Sequence, residues 1–162
     1  MKIAISYFYQ IRNFEKNMVP MSTALSDPTW YHDNQGKDYI FYDKRGILNG
    51  LRLKPIIVQG GWDCGCPCEE KNPQTCNFIK NYRKALEEID FDKMYKGIEK
   101  FAEQYKKENN IKEEIIMTLI VYETPTNPCS ERGPLIDYFK FKGIEVKEFV
   151  PQLKIQQGTF EF

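Results

Sequence analysis

Apolar residues along this chain follow two patterns, short continuous runs and longer stretches in which they recur at helical spacing. The short runs predict buried β-strands. They cover residues 2–8, 19–25, 54–59, 115–122 and 144–150. Residues 151–162 end in the apolar sequence Thr159-Phe160-Glu161-Phe162, and we expect this segment to form an edge strand or a tail that docks elsewhere.

The longer stretches predict amphipathic helices. Asn72 and Pro73 provide an N-cap and a first helical residue, and apolar positions then continue at helical spacing to Ile89. Asp90 is the expected cap of a second helix, whose apolar residues keep to one face. The polar residues 106–110 predict the end of that helix.

A third helix connects the last two predicted strands. It covers residues 135–142, and Gly143 suits the position after its last turn. Its expected N-cap is Ser130 or Gly133, while Pro134 suits the first helical position. Strand, helix and strand in succession imply a right-handed parallel crossover. We therefore expect an α/β protein with a mostly parallel sheet flanked by helices.

Size and charge narrow the class of protein. A length of 162 residues fits a single domain spanning the whole chain. Lys plus Arg and Asp plus Glu number 23 each, and this balance argues against a partner such as duplex nucleic acid or an anionic membrane. The longest apolar run is too short to span a bilayer, and the N-terminus does not resemble a signal peptide. A cytoplasmic protein is the expectation.

A candidate site follows the strand at 115–122. Ligands in open α/β sheets bind outside the carboxyl ends of the strands, and Glu123, Cys129 and Arg132 fall there. Glu123 is a candidate general base or hydroxyl-binding carboxylate. A helix N-terminus favours a thiolate at Cys129, and Arg132 is a candidate anion ligand. The alternative is structural: a buried thiol, a solvated carboxylate and an arginine paired with a nearby acid.

The opposite wall of this pocket is expected to come from the first strand and its loop. Ser6 and Tyr7 lie where that strand ends, and Arg12 follows in the loop. We therefore predict a ligand-binding role for these three residues beside the catalytic candidates Glu123 and Cys129.

This part of the sequence resembles the uncharacterised family catalogued as domain of unknown function 488. That family typically has a strand ending in Cys-aromatic-Glu and a helix opening with Cys-His-Arg. The matching segments here are Val121-Tyr122-Glu123 and Cys129-Ser130-Glu131-Arg132. The N-terminal half is similar as well, at residues 5–8, 11–12, 19–21 and 28–30.

The resemblance implies a single Rossmann-like α/β domain, in a family with bacterial and phage members and suspected nucleotide-linked or nucleic-acid-linked roles. Three positions depart from its pattern. Val121 replaces the strand-end Cys, Ser130 replaces the His, and Glu131 displaces the Arg by one position. Any chemistry that needs the Cys or the His is lost or altered in this chain.

Four cysteines form a separate cluster in the loop at residues 62–76. Cys64, Cys66, Cys68 and Cys76 supply four thiols, the set that a structural zinc ion takes in tetrahedral geometry. Cys129 is a candidate replacement for one of them. Iron–sulfur binding, redox-active thiols and simple reduced thiols are the alternatives. We predict a structural zinc that clips the loop beside the pocket.

These observations support three functional hypotheses. The first is a small α/β protein with a nucleotide-sized pocket at the strand carboxyl ends, with or without enzymatic turnover. The second is a non-enzymatic binder, which would sequester a small molecule or inhibit a host protein, as suits a family found in phages. The third is a thiol or metal sensor that acts through the loop at 62–76.

Overall fold

The fold is an α/β fold, as the sequence predicts. A computed structural model describes residues 1–23, 28 and 72–151. Its elements are β1 (Lys2–Tyr7), a 3-10 helix (Phe8–Asn13), β2 (Met18–Ser22), α1 (Asn77–Glu87), α2 (Phe91–Glu108), β3 (Ile116–Val121), α3 (Arg132–Phe141) and β4 (Val146–Glu148). The predicted strand at 54–59, Cys64, Cys66 and Cys68, and the tail after residue 151 lie outside these residues.

The four described strands form one parallel sheet in the order β2-β3-β1-β4. The predicted parallel crossover is confirmed, because β3 and β4 lie on either side of β1 and α3 connects them. Ile5 is in register with Leu119 on one side and with Glu148 on the other. The carboxyl ends of β3, β1 and β4 therefore meet at one edge of the sheet.

The sheet is buried on both faces, as is usual for parallel strands. Alternation along the strands places Ile5, Leu119 and Met21 on one face, and all three are buried. Side chains of α2 line a common cleft with Met21, so the helix covers this face. On the opposite face, Ser6 and Thr118 are also fully buried. The small polar side chains on that second face do not follow from a hydrophobic pattern.

Helices α1 and α3 contact each other, and aromatic rings connect α2 with α3. The ring of Phe91, at the start of α2, meets the ring of Phe139 edge-on at 5.8 Å and that of Tyr138 at 5.7 Å. Edge-to-face geometry is favourable because the positive edge of one ring faces the negative face of another. These contacts tie the helices into a layer over the sheet.

Two predicted helix boundaries are confirmed. Asp90 caps α2, since its side chain accepts a hydrogen bond from the backbone N–H of Lys93 at 3.2 Å. Gly143 follows the C-cap of α3 with a φ of +81°, a left-handed conformation that glycine adopts without steric cost.

Two predicted helix starts are wrong. Asn72 does not begin α1; its side chain accepts from the backbone N–H of Gln74, which makes a turn, and the N-cap is Cys76. The third helix begins at Arg132 rather than 135, and its N-cap is Glu131, not Ser130 or Gly133. Pro134 does not mark the first helical position, because a proline fits anywhere in a first turn whose N–H groups have no partner within the helix.

In the part of the chain that the structure describes, no helix combines the length and the apolar character needed to cross a membrane. The Rossmann-like detail of the fold remains a prediction.

Substituting the cap of α2 tests its contribution to stability. We expect Asp90→Ala to lower the free energy of unfolding by about 1 kcal/mol, because the N–H of Lys93 loses its acceptor. Urea unfolding followed by circular dichroism measures the change. The control is Asp92→Ala, in the same first turn but not at the cap. It should lower the free energy of unfolding by only about 0.3 kcal/mol. Equal losses in the two variants would contradict the capping role.

Candidate functional site

The candidate site lies at the carboxyl ends of the parallel strands. The chain leaves β1 towards β2 and leaves β3 towards β4, in opposite directions along the sheet. Because connections between parallel strands are right-handed, these two connections run on opposite faces of the sheet. Open α/β sheets bind ligands in the crevice that such connections leave, here between β1 and β3. Tyr7 and Val121 are the last paired residues of these two strands.

Arg132, the first residue of α3, connects the strand ends on either side of β1. Its Nη1 donates a 2.8 Å hydrogen bond to the backbone carbonyl of Glu123, just after β3. Its Nε lies 2.5 Å from Oε1 of Glu148, the last residue of β4. The side chain is 9% exposed. A buried charge needs a partner of opposite sign, and Glu148 supplies it.

The loop between β3 and α3 is held by Ser130. Its hydroxyl donates to Oε2 of Glu123 at 3.2 Å and accepts from the backbone N–H of Arg132 at 3.1 Å. The second bond satisfies an N–H group that a helix start leaves without an internal partner. Ser130 thus caps one N–H group at the start of α3. It also fixes the half-buried carboxylate of Glu123 at the crevice.

Glu131 is buried with only 6% of its surface exposed. Its Oε1 lies 2.9 Å from Oγ1 of Thr23, the residue that follows β2, and the same Oγ1 lies 2.9 Å from the carbonyl oxygen of Ile120. A hydroxyl has one hydrogen, and a carbonyl can only accept. Thr23 can therefore donate to only one of these two oxygens at a time, and a bond that it donates to Glu131 favours the charged form of that carboxyl group.

Burial and neighbouring charge favour the neutral form of Glu131. Burial raises the pKa of Glu131 to about 8, and the negative charge of Glu123 adds to the rise. The hydrogen bond with Thr23 and the charge of Arg132 act in the opposite direction and do not outweigh burial. Burial therefore favours the neutral form of Glu131 near pH 7, close to the carboxyl group of Glu123.

Tyr82 of α1 faces this carboxyl pair from the helical layer. Burial raises the pKa of its hydroxyl well above the ordinary value, and the charges of Glu131 and Glu123 raise it further. The hydroxyl is fully buried, and within the described part of the chain it interacts with the side chain of Thr23, which acts against the rise in its pKa. Among the described residues, buried polar atoms without a hydrogen-bond partner at this edge include Ser6 Oγ, Arg132 Nη2 and Glu148 Oε2. Such a concentration of unsatisfied polar atoms is typical of a functional site.

Two of the predicted site residues come together in the structure. Glu123 and Arg132 are hydrogen-bonded, as described above. Cys129 lies in the same loop, half-buried, and its backbone N–H donates to Oδ1 of Asn127 at 3.0 Å. The guanidinium of Arg132 is neutralised by Glu148, and this pairing does not support the anion subsite expected of it.

The residues predicted from the first strand have different surroundings. Ser6 is fully buried in β1 and cannot be an open pocket wall without movement of its neighbours. The hydroxyl of Tyr7 accepts a 2.9 Å hydrogen bond from Nε2 of Gln10. Arg12 is exposed on the 3-10 helix, where its guanidinium stacks 3.8 Å from the ring centroid of Tyr9 and its Nε donates to the Tyr9 carbonyl. No contact connects Arg12 to Glu123 among the described residues.

The zinc prediction is not tested by the described residues. Among residues 1–23, 28 and 72–151, no group of three or more His, Cys, Asp or Glu side chains is placed to hold a metal ion. Cys76, the described member of the cluster, is buried at the N-cap of α1. Cys64, Cys66 and Cys68 are outside the described residues, so the zinc clip stays a prediction.

Sequence reasoning missed four residues of the site: Thr23, Tyr82, Glu131 and Glu148. Glu148 had a partial signal, because it lies near the carboxyl end of the predicted strand at 144–150, but its place beside Arg132 depends on the strand order. Tyr82 looked like an ordinary apolar helix position, and the burial of Glu131 depends on where α3 begins.

Comparison of the chain with protein-family models, with curated proteins and with solved structures finds no match in any of the three. Function is therefore inferred from the residues of the site itself.

The neutral state of Glu131 predicts how stability depends on pH. Its pKa rises from an ordinary 4.5 to about 8 on folding, so the folded state binds the proton more tightly. The resulting stability is fully present below pH 4.5 and is lost as the pH rises to about 8. We expect the free energy of unfolding to fall by up to about 1.4 kcal/mol per pH unit in this window.

Glu131→Gln keeps a neutral side chain and should remove this part of the slope, measured by urea unfolding between pH 5 and pH 8. Burial also raises the pKa of Glu148, against the opposing charge of Arg132, but that contribution is present in both proteins and cancels in the comparison. Glu103→Gln, an exposed control on α2, should keep the wild-type slope. Identical slopes for wild type and Glu131→Gln would contradict the assignment.

Removing the hydroxyl of Tyr82 tests how strong its contact with Thr23 is. We expect Tyr82→Phe to change the free energy of unfolding by less than about 1 kcal/mol, because the contact of this buried hydroxyl with Thr23 falls short of a well-formed hydrogen bond. Tyr9→Phe, at a 58% exposed position, should change stability little. A clear loss of stability in Tyr82→Phe would show that the hydroxyl has a strong partner.

Proposed function

We propose that the protein binds a small polar ligand of nucleotide size at the carboxyl edge of its sheet, and that Glu131 and Glu123 exchange protons with it. The observation that carries the proposal is the carboxyl pair itself. Glu131 is held neutral by burial, while Glu123 is half-exposed and fixed by Ser130. One carboxylic acid and one carboxylate are the groups that general acid–base catalysis needs.

The location supports the same proposal. The pair lies just beyond β3, next to the crevice between oppositely directed connections, where α/β proteins bind their ligands. Strongly perturbed pKa values cluster at functional sites, because the environment that shifts them is otherwise costly. The resemblance to the domain of unknown function 488 family points to this edge as well, through Glu123, Cys129 and Arg132.

In this proposal Glu123 is the base and Glu131 the acid, and Arg132 positions the loop that carries both. Cys129 stays a candidate contact in the same loop. The zinc clip, through Cys64, Cys66, Cys68 and Cys76, is proposed on cysteine spacing alone, as a structural element beside the pocket.

Native mass spectrometry of the full chain purified from cells without chelator tests for a retained ligand. We expect wild-type protein and the exposed control Glu103→Gln to retain the same small molecule, and Glu123→Gln to lose it. Protein that carries no small molecule, or equal retention in Glu123→Gln, would contradict the proposed site.

Incubation of the recovered ligand with fresh protein then separates an enzyme from a binder. For acid–base catalysis, we expect conversion to fall by roughly 10²- to 10⁴-fold in Glu131→Gln, because the amide cannot give up a proton. Ligand that wild-type protein returns unchanged would instead identify a non-enzymatic binder that uses the same residues.

A further inference from the structure

A cleft with a volume of about 700 Å³ lies between α2 and the sheet, and we call it the α2 cleft. Sites that bind small molecules usually occupy about 300–1,000 Å³ and are lined mostly by apolar side chains. The apolar lining here consists of Met21, Met94, Ile98, Phe101 and Met117. Neither Glu123 nor Glu131 is among the described residues that line it, so the cleft is separate from the carboxyl pair.

The α2 cleft is elongated along the helix. Its lining on α2 extends from Asp90 to Gln104. At a rise of 1.5 Å per residue, these positions span about 21 Å of the helix axis. Lining positions 93, 97, 100 and 104 recur at helical spacing and form one stripe over this length. An extended chain matches such a shape better than a compact ring system does.

Methionine dominates the apolar lining. Three of the five methionines of the chain are there, Met21 from β2, Met94 from α2 and Met117 from β3. The methionine side chain is unbranched and flexible, and protein surfaces that accept ligands of varied shape use it for that reason. A flexible hydrocarbon chain is a ligand of this kind.

Gly97 leaves the middle of the lining on α2 without a side chain. Glycine inside a helix is destabilising relative to alanine, so its presence needs a reason. Close packing does not supply one, because a Cβ atom at this position would meet no other atom within 4 Å. Backbone conformation does not supply one either, since Gly97 lies inside a regular helix and has no positive φ. What the glycine does is keep the centre of the cleft open.

The charged residues of the lining favour an anion. Lys93 and Lys100 line the cleft on the exposed side of α2. The ion pairs within the described part of the chain involve other side chains, so neither ammonium group is paired there. Asp90 is the acid of the lining, and as the cap of α2 it accepts from the backbone N–H of Lys93. With two lysines and one acid, the described lining has an excess of positive charge, which complements an anionic head group.

We propose that the α2 cleft binds an amphiphile of the long-chain carboxylate class. The hydrocarbon chain lies along α2 over the three methionines, and the carboxylate pairs with the lysines of the rim. This proposal does not depend on the proposed function, because it uses none of the residues at the carboxyl edge of the sheet.

NMR of the full chain, labelled with carbon-13 at its methionine methyl groups and titrated with laurate below the micelle concentration, tests the proposal. We expect the signals of Met21, Met94 and Met117 to shift as laurate binds. Met18 is the internal control, because its side chain points to the other face of the sheet, and its signal should not shift. Hexanoate should bind roughly 10²- to 10³-fold more weakly, since it buries fewer methylene groups.

Substitution of Gly97 tests whether the open centre of the cleft holds the ligand. We expect Gly97→Leu to weaken laurate binding by roughly tenfold or more, because the new side chain and the ligand compete for one volume. Gly97→Ala adds only a Cβ atom and is the matched control, which should bind like wild type. Circular dichroism of both variants confirms that α2 is kept, as expected from the higher helix propensity of leucine and alanine.

Replacing the lysines tests the recognition of the head group. We expect Lys93→Gln combined with Lys100→Gln to weaken laurate binding by roughly 2- to 30-fold, the effect of losing two exposed ion pairs. Lys96→Gln combined with Lys107→Gln removes the same charge from exposed positions of α2 outside the described lining and should bind like wild type. Dodecanol, which lacks the charge, should bind wild-type protein more weakly than laurate does.

Several results would overturn the proposal. These are an absence of laurate binding, shifts confined to other methionines, and unchanged affinity in Gly97→Leu. Dodecanol binding as tightly as laurate, or an unchanged affinity in the variant without Lys93 and Lys100, would show that no anionic head group is recognised. Binding to vesicles of anionic phospholipid without binding of free laurate would point to a membrane surface and would also contradict the proposal.

Discussion

The guanidinium of Arg132 is the contact on which the carboxyl edge of this sheet depends. It reaches the carbonyl of Glu123 after β3 and the carboxylate of Glu148 at the end of β4, and these two strands flank β1. One side chain therefore fixes the start of α3, the loop that precedes it and the edge of the sheet. Removing one partner of a buried ion pair typically costs about 3–5 kcal/mol, because the other charge is left unpaired. The loop that carries Glu123 is thus tied to the core.

The same contact explains why Glu131 is protonated. Three carboxyl groups approach one cation, and Arg132 is already paired with Glu148. Glu123 remains half-exposed, so water can stabilise its charge. Glu131 is buried, and Arg132, the cation that acts on it among the described residues, is already paired with Glu148. Burial and the charge of Glu123 therefore favour the neutral acid.

Much of the fold could be predicted from the hydrophobic pattern. The described strands, the cap of α2 at Asp90 and the glycine after α3 all follow from local rules. The candidate site was predicted in outline, since Glu123 and Arg132 lie together. Glu148 and Thr23 were missed because their proximity to the site depends on strand order. That order places β2 and β4 beside the central pair, and it cannot be read from a hydrophobic pattern. Glu131 was missed because the predicted helix began after it.

The hydroxyl of Tyr82 shows what this arrangement costs the fold. A phenylalanine would fill the same space between α1 and the sheet without burying a hydroxyl, so packing alone does not account for tyrosine there. Nη2 of Arg132 and Oε2 of Glu148, which have no hydrogen-bond partner among the described residues, also reduce stability. Polar atoms that reduce stability are best explained by a task other than stability. All of them lie beside a carboxyl pair at the edge where α/β sheets bind ligands. Their location therefore relates the lost stability to ligand binding rather than to folding.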